Sequence, residues 1–163
     1  MDYTKILGNK DLTREEFWAV WKEFKEDLNK GKIRVADKIN DRWNVNKWVK
    51  QVILLGMKYG VIKKFDDGTI DKDTLGNRYF NENDKVRVTS PTVCVRDGAY
   101  IAPSVCFMPP CYVNIGAYID EGSMVDSLAL VGSCAQIGKK VHIGAGVIIG
   151  GVLEPVRSYS CNC

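Results

Sequence analysis

The feature that most restricts the fold of this chain is an apolar residue at every sixth position over its C-terminal half. These anchors are Val95, Ile101, Phe107, Val113, Ile119, Val125, Val131, Ile137, Ile143 and Ile149. The position four residues after each anchor is also small or aliphatic, from Ala99 to Leu153. Such a hexapeptide repeat predicts a parallel β-helix in which each hexad forms one short strand and a turn, three hexads make a triangular coil, and stacked coils bury a continuous core.

Glycines recur at two positions of the repeat. One set directly follows its anchors: Gly132, Gly138, Gly144 and Gly150. The other set stands three residues after its anchors: Gly98, Gly116, Gly122 and Gly146. Because glycine adopts positive φ without steric cost, both sets are predicted at tight corners. A purely architectural solenoid is an alternative to a functional one, since many repeat folds serve only as scaffolds.

Charge divides the 163 residues into two parts. Residues 86–163 hold 5 of the 23 basic residues and 5 of the 20 acidic ones, which leaves 18 and 15 for residues 1–85. This asymmetry predicts a solvated globular unit over residues 1–85, which would hold the helical N-terminal domain and its connector, and a weakly charged stacked unit over residues 86–155, which would hold the β-helix. The whole chain is long enough for one substantial domain or two small ones.

The net charge of +3 is too small to indicate a nucleic-acid or membrane partner. The first ten residues lack the apolar core of a signal peptide and no apolar run is long enough to span a membrane, so we expect a cytoplasmic protein. Its six cysteines are then expected to be reduced, with Cys111 directed inward. A metal site is a weak alternative because no C-x-x-C pair is present, and no metal is predicted.

Residues 13–16 form a capping-box pattern, Thr13 to Glu16, at the start of a predicted helix. Its apolar stripe is Phe17, Val20, Trp21, Phe24 and Leu28, and Gly31 is placed to end the helix in the left-handed conformation. Residues 33–39 suit an extended segment that ends in a turn at residues 40–41. A second buried helix is predicted over residues 45–59, and a loop-rich connector over residues 63–84.

Several motifs carry a resemblance to a known family. They are residues 108–126 (MPPCYVNIGAYIDEGSMVD), residues 131–138 (VGSCAQIG), residues 150–155 (GGVLEP) and, in the N-terminal part, residues 31–39 and 43–55. Together they resemble the tetrahydrodipicolinate N-succinyltransferases over about residues 12–155. The resemblance implies an α+β N-terminal unit followed by a left-handed parallel β-helix, a hand that the repeat alone does not reveal.

The resemblance also implies an activity and an assembly. Family members transfer succinyl from succinyl-CoA, a co-substrate, to tetrahydrodipicolinate in diaminopimelate and lysine synthesis. They are homotrimers with active sites in clefts between subunits, and no permanently bound cofactor is expected. After Pro155 the family pattern continues with further coils, whereas residues 156–163 diverge from it. This divergent tail predicts a C-terminally truncated chain, so an inactive solenoid fragment and an acetyl-CoA-dependent sister enzyme remain alternatives.

Two residues are the main candidates for the chemistry. Asp126 follows the anchor Val125 and matches the family's catalytic aspartate; a carboxylate there would orient or deprotonate the amine, or activate the water that opens the cyclic imine. The alternative is a solvated turn aspartate like Asp120. Arg87 resembles the family's substrate-binding arginine, and its fork of donors suits a dicarboxylate. A surface cation on the connector is the alternative.

Four further residues have weaker claims to function. Met124 and Ser133 lie in matching motifs and are predicted to line the acceptor pocket, although Met124 could pack between subunits and Ser133 could bond a turn amide. Lys139 and Lys140 could meet CoA phosphates, but a charged corner is favoured. His142, the only histidine, would be the base in other hexapeptide acyltransferases, and here a role outside catalysis is favoured. Residues that bind CoA are not identified.

Overall fold

The computed structural model describes residues 2–156, and these form an N-terminal α+β unit followed by a β-helix. The N-terminal elements are a 3₁₀ helix Tyr3–Ile6, α1 Arg14–Asn29, β1 Ala36–Ile39, β2 Arg42–Val45, α2 Lys47–Tyr59, β3 Ile62–Lys64, β4 Ile70–Lys72 and a 3₁₀ helix Glu82–Asp84. The predicted tail at residues 156–163 lies outside the described residues except for Val156.

Both ends of α1 are formed by the residues that the sequence predicts. The Thr13 hydroxyl accepts a hydrogen bond from the Glu16 amide at 3.2 Å, and the Glu16 carboxylate accepts one from the Thr13 amide at 2.9 Å, which completes the capping box. At the other end Gly31 has φ +67°. The amide of Lys32 bonds the carbonyl of Asp27, so the helix ends in a Schellman motif.

The N-terminal unit contains two hairpins that the sequence analysis did not predict. Strands β1 and β2 pair across a two-residue turn in which Asn40 and Asp41 both have positive φ, the geometry of a type I′ hairpin. The second helix therefore begins at Lys47 rather than residue 45. Strands β3 and β4 pair within the predicted connector. Both hairpins are too short to give a clear alternating pattern in sequence.

The β-helix is built from three-sided parallel coils, about four in number, consistent with the left-handed class. Its strands are β5 Arg87–Val88, β6 Val93–Val95, β7 Tyr100–Ile101, β8 Cys106–Phe107, β9 Cys111–Val113, β10 Tyr118–Ile119, β11 Met124–Val125, β12 Leu130–Val131, β13 Gln136–Ile137, β14 His142–Ile143 and β15 Ile148–Ile149. They form the β5 face (β5, β8, β11, β14), the β6 face (β6, β9, β12, β15) and the β7 face (β7, β10, β13).

All ten anchors lie in strands, and nine of them are buried, the exception being Ile149, which is half-buried in the last strand. The second inward position is buried from Ala99 to Ala135, but Val147 in the last described coil is 38% exposed. The β-helix also begins one strand earlier than the repeat predicts. Val88 pairs with Phe107, and the seven-residue step from Val88 to Val95 takes this strand out of the sixfold phase.

One of the two glycine sets has positive φ at the corners, as predicted, and the other does not. In eight of the repeats the third residue after the anchor has positive φ: Gly98, Ser104, Gly116, Gly122, Leu128, Cys134, Lys140 and Gly146. The glycines that directly follow their anchors do not, so their predicted corner conformation is wrong. Gly132 is instead required by close packing, because a Cβ there would lie 2.5 Å from the Cα of Gly151 on the next coil.

The N-terminal unit packs on the β7 face. The Arg34 guanidinium carbon lies 3.6 Å from the Tyr118 ring centroid, and its Nε donates to the Gln136 Oε1 at 3.1 Å. Tyr118 stacks on Tyr100 with ring centroids 4.4 Å apart. The buried Gln136 also donates to backbone carbonyls of its own coil. The connector also contacts the start of the β6 face, where the Arg78 amide bonds the Val95 carbonyl at 2.7 Å and the Cys94 thiol donates to the Asn77 Oδ1 at 3.4 Å.

The cysteines and the helices of the described residues can be compared with what the composition predicts. Cys94, Cys106, Cys111 and Cys134 are free thiols, and Cys111 is buried as predicted. Cys161 and Cys163 lie outside the described residues. None of the helices in residues 2–156 is long and apolar enough to cross a membrane.

Candidate active site

A column of outward side chains on the β5 face brings together three of the predicted site residues. Arg87 pairs with Cys106, Cys106 with Met124, and Met124 with His142 in the parallel register. Equivalent positions on stacked strands are about 4.8 Å apart, so the four side chains form one line down the face. Asp126 lies two residues beyond Met124, at the corner that follows β11.

The Asp126 carboxylate has one hydrogen bond and one nearby imidazole. Its Oδ1 accepts a hydrogen bond from the Ser127 amide at 2.7 Å, and its Oδ2 lies 3.5 Å from Nε2 of His142 on the next coil. The backbone amide of Asp126 bonds the carbonyl of Ile143 at 2.9 Å, which fixes the two coils relative to each other. The side chain of Asp126 is 28% exposed and that of His142 is 62% exposed, so both remain accessible to a ligand.

The corner beyond Asp126 is a rigid one. Leu128 adopts φ +63°, a conformation that costs a residue with a Cβ about 1–2 kcal/mol. Its amide donates to the Pro110 carbonyl at 2.6 Å, and its side chain is 69% exposed. This bond to the neighbouring coil holds the backbone that carries Asp126.

Arg87 lies at the other end of the column. Its amide bonds the Val105 carbonyl at 2.9 Å, and its Nη1 lies 3.7 Å from the Cys106 Sγ. Within residues 2–156 no carboxylate forms an ion pair with Arg87. Its exposed guanidinium therefore keeps donors for an anionic ligand.

Ser133 is not part of this column. It lies at the corner between β12 and β13, where its carbonyl accepts a hydrogen bond from the Val152 amide at 2.9 Å. A Cβ on Gly151 would lie 2.8 Å from its Oγ, so Ser133 packs against the neighbouring coil. Within one chain Ser133 and Asp126 belong to different corners of the prism.

The two adjacent lysines form a charged corner. Lys139 pairs with Glu121 at 2.9 Å, and this hydrogen bond raises the pKa of Lys139 above its ordinary value. Lys140 occupies the positive-φ corner position, and its amide bonds the Glu121 carbonyl. These contacts favour the structural interpretation of the pair over a phosphate site.

His142 lies close to Asp126 in the structure. The favoured reading gave it no catalytic part, yet its imidazole is the side chain that faces the Asp126 carboxylate from the next coil. The signal was present in the repeat: with three hexads in each coil, residues 18 positions apart stack, so His142 must lie over Met124. The sequence alone does not give the distance between the two functional groups.

The arrangement combines an anion-binding group and a carboxylate on one outward face. The guanidinium can bind one carboxylate of a ligand, and Asp126 can hold a proton of an amine or a water molecule. Among residues 2–156 no group of three or more His, Cys, Asp or Glu side chains could hold a metal ion.

The parallel coils and their sixfold anchors define a hexapeptide-repeat protein with an added N-terminal α+β unit. Comparison with known proteins narrows this class. Residues 6–58 match the family model described as tetrahydrodipicolinate N-succinyltransferase N-terminal. By its sequence, the matched part of this chain belongs to the tetrahydrodipicolinate N-succinyltransferase family.

Curated relatives extend this match through the β-helix. The chain is 50% identical over 141 residues to the 2,3,4,5-tetrahydropyridine-2,6-dicarboxylate N-succinyltransferase of Blochmanniella floridana, which covers 82% of this chain and 49% of that protein. For the enzymes of the same name from Wolbachia pipientis wMel and Legionella pneumophila strain Paris, the identities are 46% over 144 residues and 48% over 139 residues. These matches cover 84% and 80% of this chain, and 52% and 49% of the relatives. The chain thus spans about half the length of the curated relatives it matches.

Proposed function

We propose that this chain is an N-succinyltransferase that moves succinyl from succinyl-CoA to tetrahydrodipicolinate, giving N-succinyl-2-amino-6-oxopimelate in diaminopimelate and lysine synthesis. The observation that carries the proposal is Asp126, an accessible carboxylate on the same outward face as Arg87 and Met124. The names of the relatives support the choice of reaction. The proposal covers the activity, its substrates and a cytoplasmic location.

Asp126 would act on the acceptor amine. The cyclic imine first takes up water and opens, and the amine so formed must lose a proton as it attacks the thioester carbonyl. The N–C bond forms, the C–S bond breaks, and CoA leaves as the thiol with that proton. A carboxylate within hydrogen-bond reach of the nitrogen can hold the proton during this transfer.

Arg87 would bind the acceptor. Tetrahydrodipicolinate is a dicarboxylate, and a guanidinium binds a carboxylate through two parallel hydrogen bonds that fix its orientation as well as its position. Met124 lies in the same column, between Arg87 and His142, and offers a half-buried apolar contact to the carbon chain. CoA-binding residues are not assigned.

Ser133 would join the site only from a neighbouring subunit, which favours a homotrimer. The β5 and β6 faces carry half-buried apolar side chains, among them Met124 and Leu130, and Ile148 is 73% exposed. Apolar side chains on two adjacent faces suit contacts with two neighbours around a threefold axis. In this proposal residues 1–85 form the N-terminal domain with its connector and residues 86–155 the β-helix, which keeps its β7 face for the N-terminal unit.

The test combines the mass of the chain in solution with its turnover. Light scattering gives the oligomeric state, and release of the CoA thiol from succinyl-CoA in the presence of tetrahydrodipicolinate gives the activity, with acetyl-CoA as a competing donor. We expect a trimer, a preference for succinyl-CoA and a loss of about a hundredfold or more in turnover for Asp126→Asn.

Asp120→Asn is the matched control, because Asp120 also follows its anchor and its Oδ1 accepts the next amide, from Glu121, at 2.8 Å. It should keep the turnover of the unaltered chain. Equal losses in both variants, or no thiol release by a trimeric chain, would contradict the assignment. Preference for acetyl-CoA would show that succinyl-CoA is the wrong donor, and the assignment of tetrahydrodipicolinate as the acceptor would stand.

A further inference from the structure

We propose that His142 is a positioning residue that holds the Asp126 carboxylate for its reaction through a hydrogen bond from Nε2 to Oδ2. The inference rests on the proposed function for its catalytic consequence, although the contact itself can be tested without substrate. It assigns a part to the single histidine of the chain, which neither the repeat nor the core requires, since His142 is exposed.

The first argument is a comparison of equivalent corners. Asn114, Asp120 and Asp126 each follow an anchor, and each accepts the amide of the next residue with its Oδ1 at 2.7–2.8 Å. The corner motif is therefore general and says nothing about function. The residues directly above these corners are all glycines, so the difference lies in the diagonal neighbour on the next coil, two residues before each glycine.

Only one of these three side chains meets a ring donor from the coil above. Leu130 lies diagonally above Asn114, because it pairs with Tyr112, and it has no donor in its side chain. Gln136 lies diagonally above Asp120, because it pairs with Tyr118. Gln136 is buried, and its amide nitrogen donates to backbone carbonyls. The diagonal neighbour of Asp126 is His142, which pairs with Met124, and its Nε2 lies 3.5 Å from Oδ2.

The second argument is that the carboxylate needs a second support. The Ser127 amide holds Oδ1 alone, so Oδ2 can still swing about that one hydrogen bond. A donor on Oδ2 removes this freedom. It also leaves Oδ2 a second lone pair for the acceptor amine, because each carboxylate oxygen accepts two hydrogen bonds. A side chain fixed before the substrate arrives spares the cost of ordering it in the transition state.

The third argument is that the backbone presets the contact. The Asp126 amide bonds the Ile143 carbonyl at 2.9 Å and the Met124 amide bonds the Val141 carbonyl at 2.9 Å, so hydrogen bonds flank His142 on both sides. The imidazole needs only a side-chain rotation to shorten 3.5 Å to an ordinary hydrogen bond of about 2.9 Å.

The contact is tested first without substrate, by NMR of the imidazole nitrogens at a pH at which the spectrum itself shows the neutral ring. Because the chain has one histidine, the ring signals belong to His142 alone. Asp126→Ala removes the acceptor and should raise the share of the Nδ1-protonated form. Asp120→Ala is the matched control and should leave the ring signals as they are. Identical ring signals in both variants would overturn the proposal.

The catalytic consequence is tested with a pair of substitutions. His142→Leu removes the donor, and we expect kcat to fall about threefold to tenfold while KM changes little. His142→Gln keeps a donor near the position of Nε2 and should recover most of that loss. The effect of His142→Leu should vanish when Asp126 is already Asn, because the two residues act through one contact.

The outcomes separate this inference from the proposed function. A full effect of His142→Leu in the Asp126→Asn background, or equal losses for Leu and Gln, would show that His142 does not act through Asp126. If the unaltered chain releases no thiol from succinyl-CoA, the proposed function fails. The NMR comparison of the two alanine variants then still decides whether His142 holds Asp126.

Discussion

Gly31 lies against the ring of Tyr100, where the end of α1 meets the β7 face. A Cβ on Gly31 would be 2.9 Å from both Cδ2 and Cε2 of that ring. The backbone of Gly31 is also in the left-handed region, at φ +67°. This one residue therefore ends the helix and allows the N-terminal unit to contact the β-helix.

Gly31→Ala should destabilise the chain for two reasons. The methyl group costs about 1–2 kcal/mol in the left-handed conformation, and its contact with Tyr100 adds about 1–3 kcal/mol because the stacked ring must move. Gly8→Ala is the matched control, since Gly8 has φ +80° but no atom within 4 Å of the added Cβ. Denaturant unfolding should show a clearly larger loss for Gly31→Ala, and equal losses would mean that the Tyr100 contact costs nothing.

A second stability prediction concerns the close approach of neighbouring coils at Gly132. An added Cβ would lie 2.5 Å from the Gly151 Cα, and neither backbone can move without breaking the ladder. We expect Gly132→Ala to lower the free energy of unfolding by about 3 kcal/mol or more. Gly144 occupies the same position of the repeat two hexads later, and there the nearest atom would be 4.0 Å away.

Gly144→Ala should therefore leave the thermal midpoint within about 2 °C of the unaltered chain, whereas Gly132→Ala should lower it strongly. Similar midpoints for the two variants would show that the coils are less tightly stacked at Gly132 than the structure describes.

A third prediction follows from the buried thiol of Cys111. Burial raises the pKa of Cys111 to about 11, from an ordinary value of 9.0. Between these pH values the folded chain keeps this proton and the unfolded chain loses it, so rising pH favours unfolding. The contribution of the thiol to stability is complete below about pH 9 and is lost as the pH rises toward 11.

The slope of unfolding free energy against pH measures this effect. Over pH 9 to 11 the thiol should contribute a fall that approaches about 1.4 kcal/mol for each pH unit. Cys111→Ala removes the thiol, so its stability should fall less steeply over this range. Parallel pH profiles for the two proteins would show that Cys111 does not keep its proton in the folded state.

A fourth prediction concerns the acceptor. Arg87→Met removes the guanidinium and should raise the KM for tetrahydrodipicolinate about tenfold or more, with a smaller change in kcat, because the lost contact serves binding. Arg87→Lys keeps the charge but not the paired donors, so its KM should lie between those of the unaltered chain and Arg87→Met. Arg42→Met, on the exposed end of the β1–β2 hairpin, is the control and should leave both constants unchanged. A KM unaffected by Arg87→Met would remove Arg87 from the site.

The sequence predicted more of the β-helix than of the N-terminal unit. In the β-helix a period of six predicted the anchors, the inward second position and the glycines at positive φ. The prediction works because each hexad follows the same backbone path, so equivalent positions are buried or lie at a corner. In the N-terminal unit the capping box and Gly31 predicted α1 from local hydrogen bonding alone. The β1–β2 and β3–β4 hairpins were missed, since three or four residues give too little pattern to separate a strand from a loop.

Part of the candidate site could be predicted from the sequence and part could not. The sequence placed Asp126 at a coil corner and Arg87 near the start of the β-helix, because position in the repeat decides which side chains point outward. Their roles remain proposals. The sequence did not place Arg87 in the column of Met124 and His142, since that depends on an extra residue between Val88 and Val95 and on which strand β5 pairs with.

The sequence by itself determined the coil, because an apolar residue at every sixth position can be buried all at once only when the chain winds into a three-sided prism. The tertiary structure decided how the faces of that prism are used. Packing of α1 and Arg34 covers the β7 face, and the stacking of coils brings His142 to 3.5 Å from Asp126. These contacts join residues far apart along the chain, and their distances depend on how whole elements pack, which no local pattern encodes.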